Sequence, residues 1–422
     1  MKNVGILTCY YNSNNYGGIL QAYALTKYIN SRFGDFHFKK DENTQFEDNL
    51  CAEQIQYKPF RNETSKKEII KKVVHNHSFF GLIKLVIEES YTRFVKHFLF
   101  RRIFFKADFN GVNKRDKAVL SFGLKIPHSE HVFLNREFDE AAVDRNANVA
   151  RMLNKYDIFI VGSDQVWRET RAKGYFLYYV SDEKKKISYA ASISRNHLNE
   201  HDKAFFRQHL KNFNAISVRE QNAVGLLQKL CDQPIEWVLD PTLILDVSDW
   251  EEICSKRIIE ERYLFCYFLG PDKRERKLAK KYAKEHHLKL VTLPFLTEQN
   301  YGCDFFFGKD GLRLFEVSPA DFLSLIKYAD YVFTDSFHAA VFSGIFEREY
   351  VVFERAIKGS MGSRIETLLS LYETSERYCN TPERRTLSYI DNLMKIDYTR
   401  NLEKLSDMKR KSKNFLRNAL LN

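Results

Sequence analysis

Long apolar runs are missing from this sequence. None of its stretches approaches the roughly 18 to 20 consecutive apolar residues that a membrane-spanning helix needs. The first apolar stretch, Val4 to Thr8, is too short for a signal peptide, and polar Asn12 to Asn15 follow it. A cytoplasmic location is therefore expected. Glycine (17) and proline (8) are scarce in 422 residues, which excludes collagen-like and low-complexity architectures. The seven cysteines are scattered, odd in number and never paired as CxxC. They read as reduced structural thiols, and with no metal-ligand spacing among them no metal site is expected. Internal repeats, a GxGxxG fingerprint, a Walker loop and recognised nucleic-acid motifs are also absent.

What is there is the composition of a globular protein: 44% hydrophobic and 29% charged residues, with aromatics at 14%. The length suits two domains. Lys and Arg number 66 against 55 Asp and Glu, a net charge of +11. Most of that excess sits between Lys66 and Ala107, where 10 basic residues face 3 acidic ones. Phe79, Phe80, Leu82, Phe94, Phe98, Phe100, Phe104 and Phe105 interleave with them. Cationic and apolar residues mixed in this way suit amphipathic helices lying on an anionic membrane surface, here through residues 66–106. They equally suit a basic helical insertion packed on the main body. RNA is a third partner for such charge, but no nucleic-acid motif accompanies it, so no nucleic-acid partner is expected.

Along the chain, short β-branched runs alternate with helical periodicity. Val4 to Thr8 reads as a strand, Asn12 to Gly18 as a loop, and Ile19, Leu20, Ala22, Tyr23, Leu25, Tyr28 and Ile29 recur at helical spacing. Residues 35–140 break the alternation and read as a helical insertion. It resumes at Ile158 to Val161, and further strands are expected near 186–191, 215–218, 237–239, 263–269, 289–293, 331–334 and 350–353. Buried parallel strands with crossover helices make an α/β protein. Pro234, Pro241 and the polar Asp246 to Glu261 stretch punctuate its middle. The expected architecture is two Rossmann-like domains facing a cleft: residues 1–240 with the basic helical insertion, residues 241–395, and a C-terminal basic amphipathic helix at 396–422.

In an open parallel sheet, ligands bind beyond the carboxyl ends of the strands, so the residues there are the candidates. After the first strand, Asn15, Gly17 and Gly18 open a helix whose N–H groups favour an anion, although a plain turn and cap reads the same way. After the Ile158 strand, Ser163, Asp164, Gln165 and Trp167 suit carbohydrate: polar groups for hydroxyls and a ring face for C–H. The alternative is a simple helix cap. Arg219 ends the next strand and can grip a carboxylate or phosphate, unless it only pairs with Glu220 at the surface. Asp240 is a candidate base or a turn starter before Pro241. The strongest stretch is Tyr331 to Ile345, where a buried strand runs through Thr334-Asp335-Ser336-Phe337-His338 into an apolar helix. His338 at that helix start can deliver a proton beside a bound anion. Downstream, Lys358 to Arg364 forms a basic, glycine-bearing loop.

Seven pieces in order then resemble the polysaccharide pyruvyl transferase family. They are Asn15-Tyr16-Gly17-Gly18 through Leu25, Gly162 to Trp167, Ser188 to Ser192, Ser217-Val218-Arg219-Glu220, Val238 to Thr242, Thr334 to His338, and Ser363-Arg364-Ile365. The resemblance covers residues 4 to about 370 and leaves out 35–140 and the C-terminal helix. It implies a fold similar to the GT-B glycosyltransferases. It implies transfer of the enolpyruvyl unit of phosphoenolpyruvate to a sugar as a cyclic ketal, with phosphoenolpyruvate as substrate and no cofactor. Arg219, Ser336, Phe337 and His338 fall at positions that hold the donor in the family, the histidine being its acid. Some members carry Arg where this chain has Ser336, which places more weight on Lys358 or Arg364.

The expected acceptor is a sugar on a polyprenyl diphosphate, met by an enzyme peripheral to the inner face of the plasma membrane. Two other readings are a nucleotide-sugar glycosyltransferase of the same fold and a non-catalytic carbohydrate-binding protein. For the first, a Glu252 and Glu260 pair exists but lies at the domain boundary rather than behind a late strand. Deleting residues 66–106 should lower partition onto anionic vesicles in a flotation assay while phosphoenolpyruvate affinity stays intact; unchanged partition refutes the membrane role.

Overall fold

The computed structural model describes residues 1–11, 13–34, 49–58, 106–134, 146–168, 173–295, 311–355, 362–400 and 402–422. Two parallel sheets organise them. The first contains β1 (Lys2–Leu7), β2 (Leu50–Lys58), β3 (His128–Leu134), β4 (Ile158–Val161), β5 (Lys185–Ala191), β6 (Ala215–Val218) and β7 (Ile235–Trp237), in the order β3-β2-β1-β4-β5-β6-β7. The second contains β8 (Tyr263–Tyr267), β9 (Lys289–Thr292), β10 (Gly311–Arg313), β11 (Tyr331–Thr334), β12 (Glu349–Phe353) and β13 (Tyr378–Cys379), in the order β10-β9-β8-β11-β12-β13. Every pairing is parallel, and the strand order reverses between β1 and β4 and between β8 and β11. Such reversals open a crevice at the carboxyl edge of a sheet.

Apolar runs explain most strands. β4 (Ile-Phe-Ile-Val) and β11 (Tyr-Val-Phe-Thr) are buried along their whole length, as strands covered on both faces must be. The 35–140 stretch differs from the sequence expectation. Its described residues hold β2 and β3 of the first sheet as well as the Lys106–Gly123 helix, so the alternation continues through it. The polar letters of β2 hid it. Gln54 is buried there, and its amide donates to Ala22 O at 3.2 Å and Thr26 Oγ1 at 2.9 Å on the first helix. Nearly all of the basic aromatic segment at 66–106 lies outside the described residues. Among those described, no helix is long and apolar enough to cross a membrane.

One apolar core runs through both sheets. Tyr16, the first residue of the Tyr16–Phe33 helix, stacks on Phe322 of the second half at 4.7 Å, and its hydroxyl donates to Val317 O at 2.8 Å. Trp250 meets Phe342 edge-on at 4.8 Å. The Leu402–Leu421 helix returns to the first sheet. It buries Phe415, Leu416 and Leu420, and its Ser412 Oγ accepts from Leu239 N at 2.9 Å. The helix start after β1 is thereby held against the loop after β11, which is where the candidate residues collect.

Candidate functional site

A buried carboxylate forms the centre. Asp240 is 1% exposed, and both its oxygens are engaged. Oδ1 accepts from Thr242 N at 3.0 Å and Thr242 Oγ1 at 2.7 Å, capping the short Pro241–Ile244 turn. Oδ2 accepts from Ser163 Oγ at 2.8 Å and Arg219 Nη1 at 2.8 Å. Asp240 is thus both the turn starter and a group of the site. Burial opposes its ionisation, but His338 and Arg219 outweigh burial and hold the carboxyl far below the usual carboxylate range.

The loop after β4 supplies Ser163 and Asp164. Gly162, at φ +114°, passes so close to β5 that a Cβ there would lie 2.2 Å from Tyr189 O, so only glycine fits. Asp164 adopts φ +67°, a region Asp tolerates. Its Oδ1 lies 3.4 Å from Arg219 Nη2. Arg219, expected either in the cleft or at the surface, is 4% exposed and held by two carboxylates. Burial works against its charge, and Asp240 and Asp164 more than restore it, raising its pKa. Its guanidinium stacks on the Phe337 ring at 4.6 Å. Glu220 turns elsewhere and accepts from Ser194 N at 3.3 Å and from Ser192 Oγ.

The loop after β11 supplies the rest. Asp335 accepts from Leu269 N and Gly270 N, both at 2.7 Å, and pairs with Arg355 at 3.3 Å. Ser336 caps the Phe337–Ile345 helix, its Oγ accepting from Ala339 N at 3.5 Å and keeping its own proton to donate. His338 is 5% exposed. Its Nε2 stands 3.8 Å from Asp240 Oδ2, an ion-pair distance when the ring is protonated but too long for a hydrogen bond. Its other nitrogen rests against Gly17, where a Cβ would lie 2.0 Å from Nδ1. Gly18 is equally constrained: its Cβ would meet Cys9 O at 2.7 Å. The two glycines therefore let the imidazole and the loop after β1 approach the helix start.

Arg364, on the Gly362–Leu371 helix, is 6% exposed and stacks on Phe337 at 5.8 Å. Among the described residues no carboxylate pairs with it and its Nε has no acceptor. Burial and the nearby Arg219 press its pKa down to about 9, so it remains a cation at neutral pH.

The sequence profile of the polysaccharide pyruvyl transferase family matches residues 15–355. The chain belongs to this family. No curated protein matches the sequence. Among solved structures, the UDP-GlcNAc 2-epimerase of Methanocaldococcus jannaschii is similar at 9% identity and TM-score 0.51, covering 99% of this chain and 99% of that one. The S. aureus MnaA–UDP structure is similar at 10% identity and TM-score 0.50, covering 100% of this chain and 97% of that one. At such identities the likeness is one of fold: two parallel α/β sheets in the GT-B manner.

Of the residues expected in the pyruvyl transferase site, Asp164, Arg219, Asp240, Phe337, His338, Arg364, Gly17 and Gly18 converge. Ser336 adjoins them as a helix cap. Asn15 is a cap as well, accepting from Gly17 N at 3.1 Å. Gln165 accepts from Arg168 Nη1 at 3.1 Å beside the cluster. Lys358 lies outside the described residues. One reading is corrected: Trp167 cannot offer a ring face to a sugar, because it is fully buried, stacked on Phe176 at 5.7 Å with its Nε1 donating to Tyr175 O at 3.1 Å. Sequence reasoning missed Arg355 and gave Ser363 no role of its own. Arg355 lies just beyond the end of β12, the same signal that marked Arg219. Among the described residues no three His, Cys, Asp or Glu side chains come together as a metal-binding group.

Replacing Gly17 by Ala should cut kcat by roughly 100-fold, because displacing a reacting group by about 1 Å costs that much. An alanine inside a helix ordinarily stabilises, so an unfolding curve that does not weaken while turnover collapses would tie the loss to His338. Asp240→Asn should cost roughly 3–5 kcal/mol at pH 7 by removing the nearer of the two carboxylates that balance the buried Arg219. Because Asp240 is depressed in the fold, its contribution is complete above about pH 4 and fades as pH falls further. Urea titrations of both proteins should therefore converge in acid; a gap that stays constant would contradict the buried ion pair.

Proposed function

We propose that the chain is a phosphoenolpyruvate-dependent pyruvyl transferase that forms a cyclic pyruvate ketal on a sugar of a polysaccharide precursor. The observation that carries this reading is the placement of His338 Nε2. Among the described residues it is buried without a hydrogen-bond partner, 3.8 Å from an ionised Asp240, and its ring meets Phe337, on which two guanidinium groups stack. An imidazole beside a fixed negative charge is suited to carry a proton, and guanidinium groups are suited to hold the anion that receives it.

In this scheme His338 donates its proton to C3 of phosphoenolpyruvate. C2 gains oxocarbenium character and is attacked by a sugar hydroxyl oxygen, whose proton leaves. The C2–O bond to phosphate then breaks, inorganic phosphate departs with the bonding pair, and a second hydroxyl closes the ring with loss of its proton. One methyl, two new C–O bonds and one phosphate account for every atom. General acid catalysis of the first step supplies roughly 10²- to 10⁴-fold. Arg219, Phe337, Arg364 and Ser336 hold the donor. Asn15, Gly17, Gly18 and Gln165 line the approach from the first half. Asp240 faces His338 Nε2 at 3.8 Å and holds Arg219 in place. Asp164, tied to Arg219 by one oxygen only, is the group suited to take a hydroxyl proton.

The acceptor in this reading is a polyprenyl-diphosphate-linked sugar, and the enzyme works on the cytoplasmic face of the membrane through residues 66–106. Incubating lipid-linked sugars with phosphoenolpyruvate should give, by mass spectrometry, the mass gain of one pyruvate ketal with one inorganic phosphate released per product. Release of a nucleoside diphosphate from a sugar nucleotide would point instead to a glycosyltransferase. His338→Ala should lose roughly 10²- to 10⁴-fold in turnover while still binding phosphoenolpyruvate; an unaltered rate would remove the histidine from the mechanism.

A further inference from the structure

The amino ends of two helices meet at the Phe337 ring. One, Phe337–Ile345, is capped by its own Ser336. The other, Gly362–Leu371, is ten residues long and brings Ser363 and Arg364 in its first turn. Both side chains are more than nine-tenths buried, Ser363 being 4% exposed and Arg364 6%. Neither the Ser363 hydroxyl nor Arg364 Nε has a hydrogen-bond partner among the described residues. The helix dipole also points its positive end the same way.

The three arginines here are not equivalent. Arg219 is balanced by Asp240 and Asp164, and Arg355 by Asp335. Among the described residues Arg364 has no such carboxylate. A buried cation without a counter-ion, beside a buried hydroxyl without a partner, is costly in isolation and becomes favourable only when an anion joins it.

We infer that Ser363, Arg364 and the first turn of the Gly362–Leu371 helix form a phosphate subsite that seats the phosphoryl group of the donor and releases it as inorganic phosphate. This rests on the pyruvyl transfer reading and divides the donor between two cations. A dianion with three free oxygens matches a hydroxyl and a guanidinium at the positive end of a helix. The singly charged carboxylate is left to Arg219, whose Nε is likewise buried and, among the described residues, unpartnered. Phe337, stacked by both guanidinium groups, sets the spacing between the two ends of the donor.

Calorimetric titration of the full chain separates these roles, using inorganic phosphate, pyruvate and phosphoenolpyruvate as three probes. Ser363→Ala and Arg364→Gln should each weaken phosphate and phosphoenolpyruvate by roughly 10-fold or more, as expected for losing a hydrogen bond to a charged group, and leave pyruvate binding unchanged. If Arg364→Gln fails to fold, Ser363→Ala alone decides, since it removes one oxygen and no charge. Phosphoenolpyruvate and phosphate binding that neither variant weakens would overturn the subsite while the pyruvyl transfer reading stands. Wild-type protein that binds phosphate through Ser363 but not phosphoenolpyruvate would keep the subsite and sink the reading. Binding of neither phosphate nor phosphoenolpyruvate would overturn the subsite.

Discussion

A single buried negative charge organises this molecule. Asp240 lies where the first sheet, the second half and the crossing chain meet. It stays ionised only because four groups from different parts of the sequence serve it: Thr242, Ser163, Arg219 and, at ion-pair distance, His338. Each of those groups is in turn fixed by what it does for Asp240. The arginine is oriented to lie flat on Phe337, the histidine is held at ion-pair distance from that charge, and the β4 loop is drawn to the β6 and β7 edge. The electrostatics of the site and the docking of its loops are therefore the same interaction.

That arrangement needs close approach between the halves, and the packing supplies it. Tyr16 leaves the first sheet and inserts its ring among Phe322 and Tyr267 of the second. Gly17 follows immediately, so the helix turn carrying it is presented to His338 with no side chain between them. The C-terminal helix closes the connection from the other side through Ser412 and Phe415. A site assembled from residues more than 300 positions apart is possible because one continuous core fixes the distance between its two walls.

Strand ends were the most legible part of the sequence. Apolar runs closed by Gly162-Ser163-Asp164, Arg219 and Asp335-Ser336-Phe337-His338 predict both the strands and the residues presented beyond them, and these come together in the fold. Polar strands were illegible. β2 carries Gln54 and Gln56, whose burial depends on partners in the first helix and β3 that no local pattern reveals. Trp167 was misjudged because an aromatic at a strand end looks alike whether it faces a ligand or a core; only the Phe176, Phe206 and Phe213 rings around it decide. The double duty of Asp240, which caps a turn with one oxygen and pairs with Arg219 through the other, is a matter of two separate oxygens and has no sequence signature.

The central claim is that phosphoenolpyruvate lies against Phe337, between Arg219 and Arg364, with its methylene carbon facing His338. A crystal structure of the protein soaked with phosphoenolpyruvate tests this most directly. The account predicts density for the donor there, with C3 within about 3.5 Å of His338 Nε2, the distance of a near-attack arrangement. Donor density elsewhere, or a cleft in which the Arg219 and His338 side chains both face away from it, would contradict it.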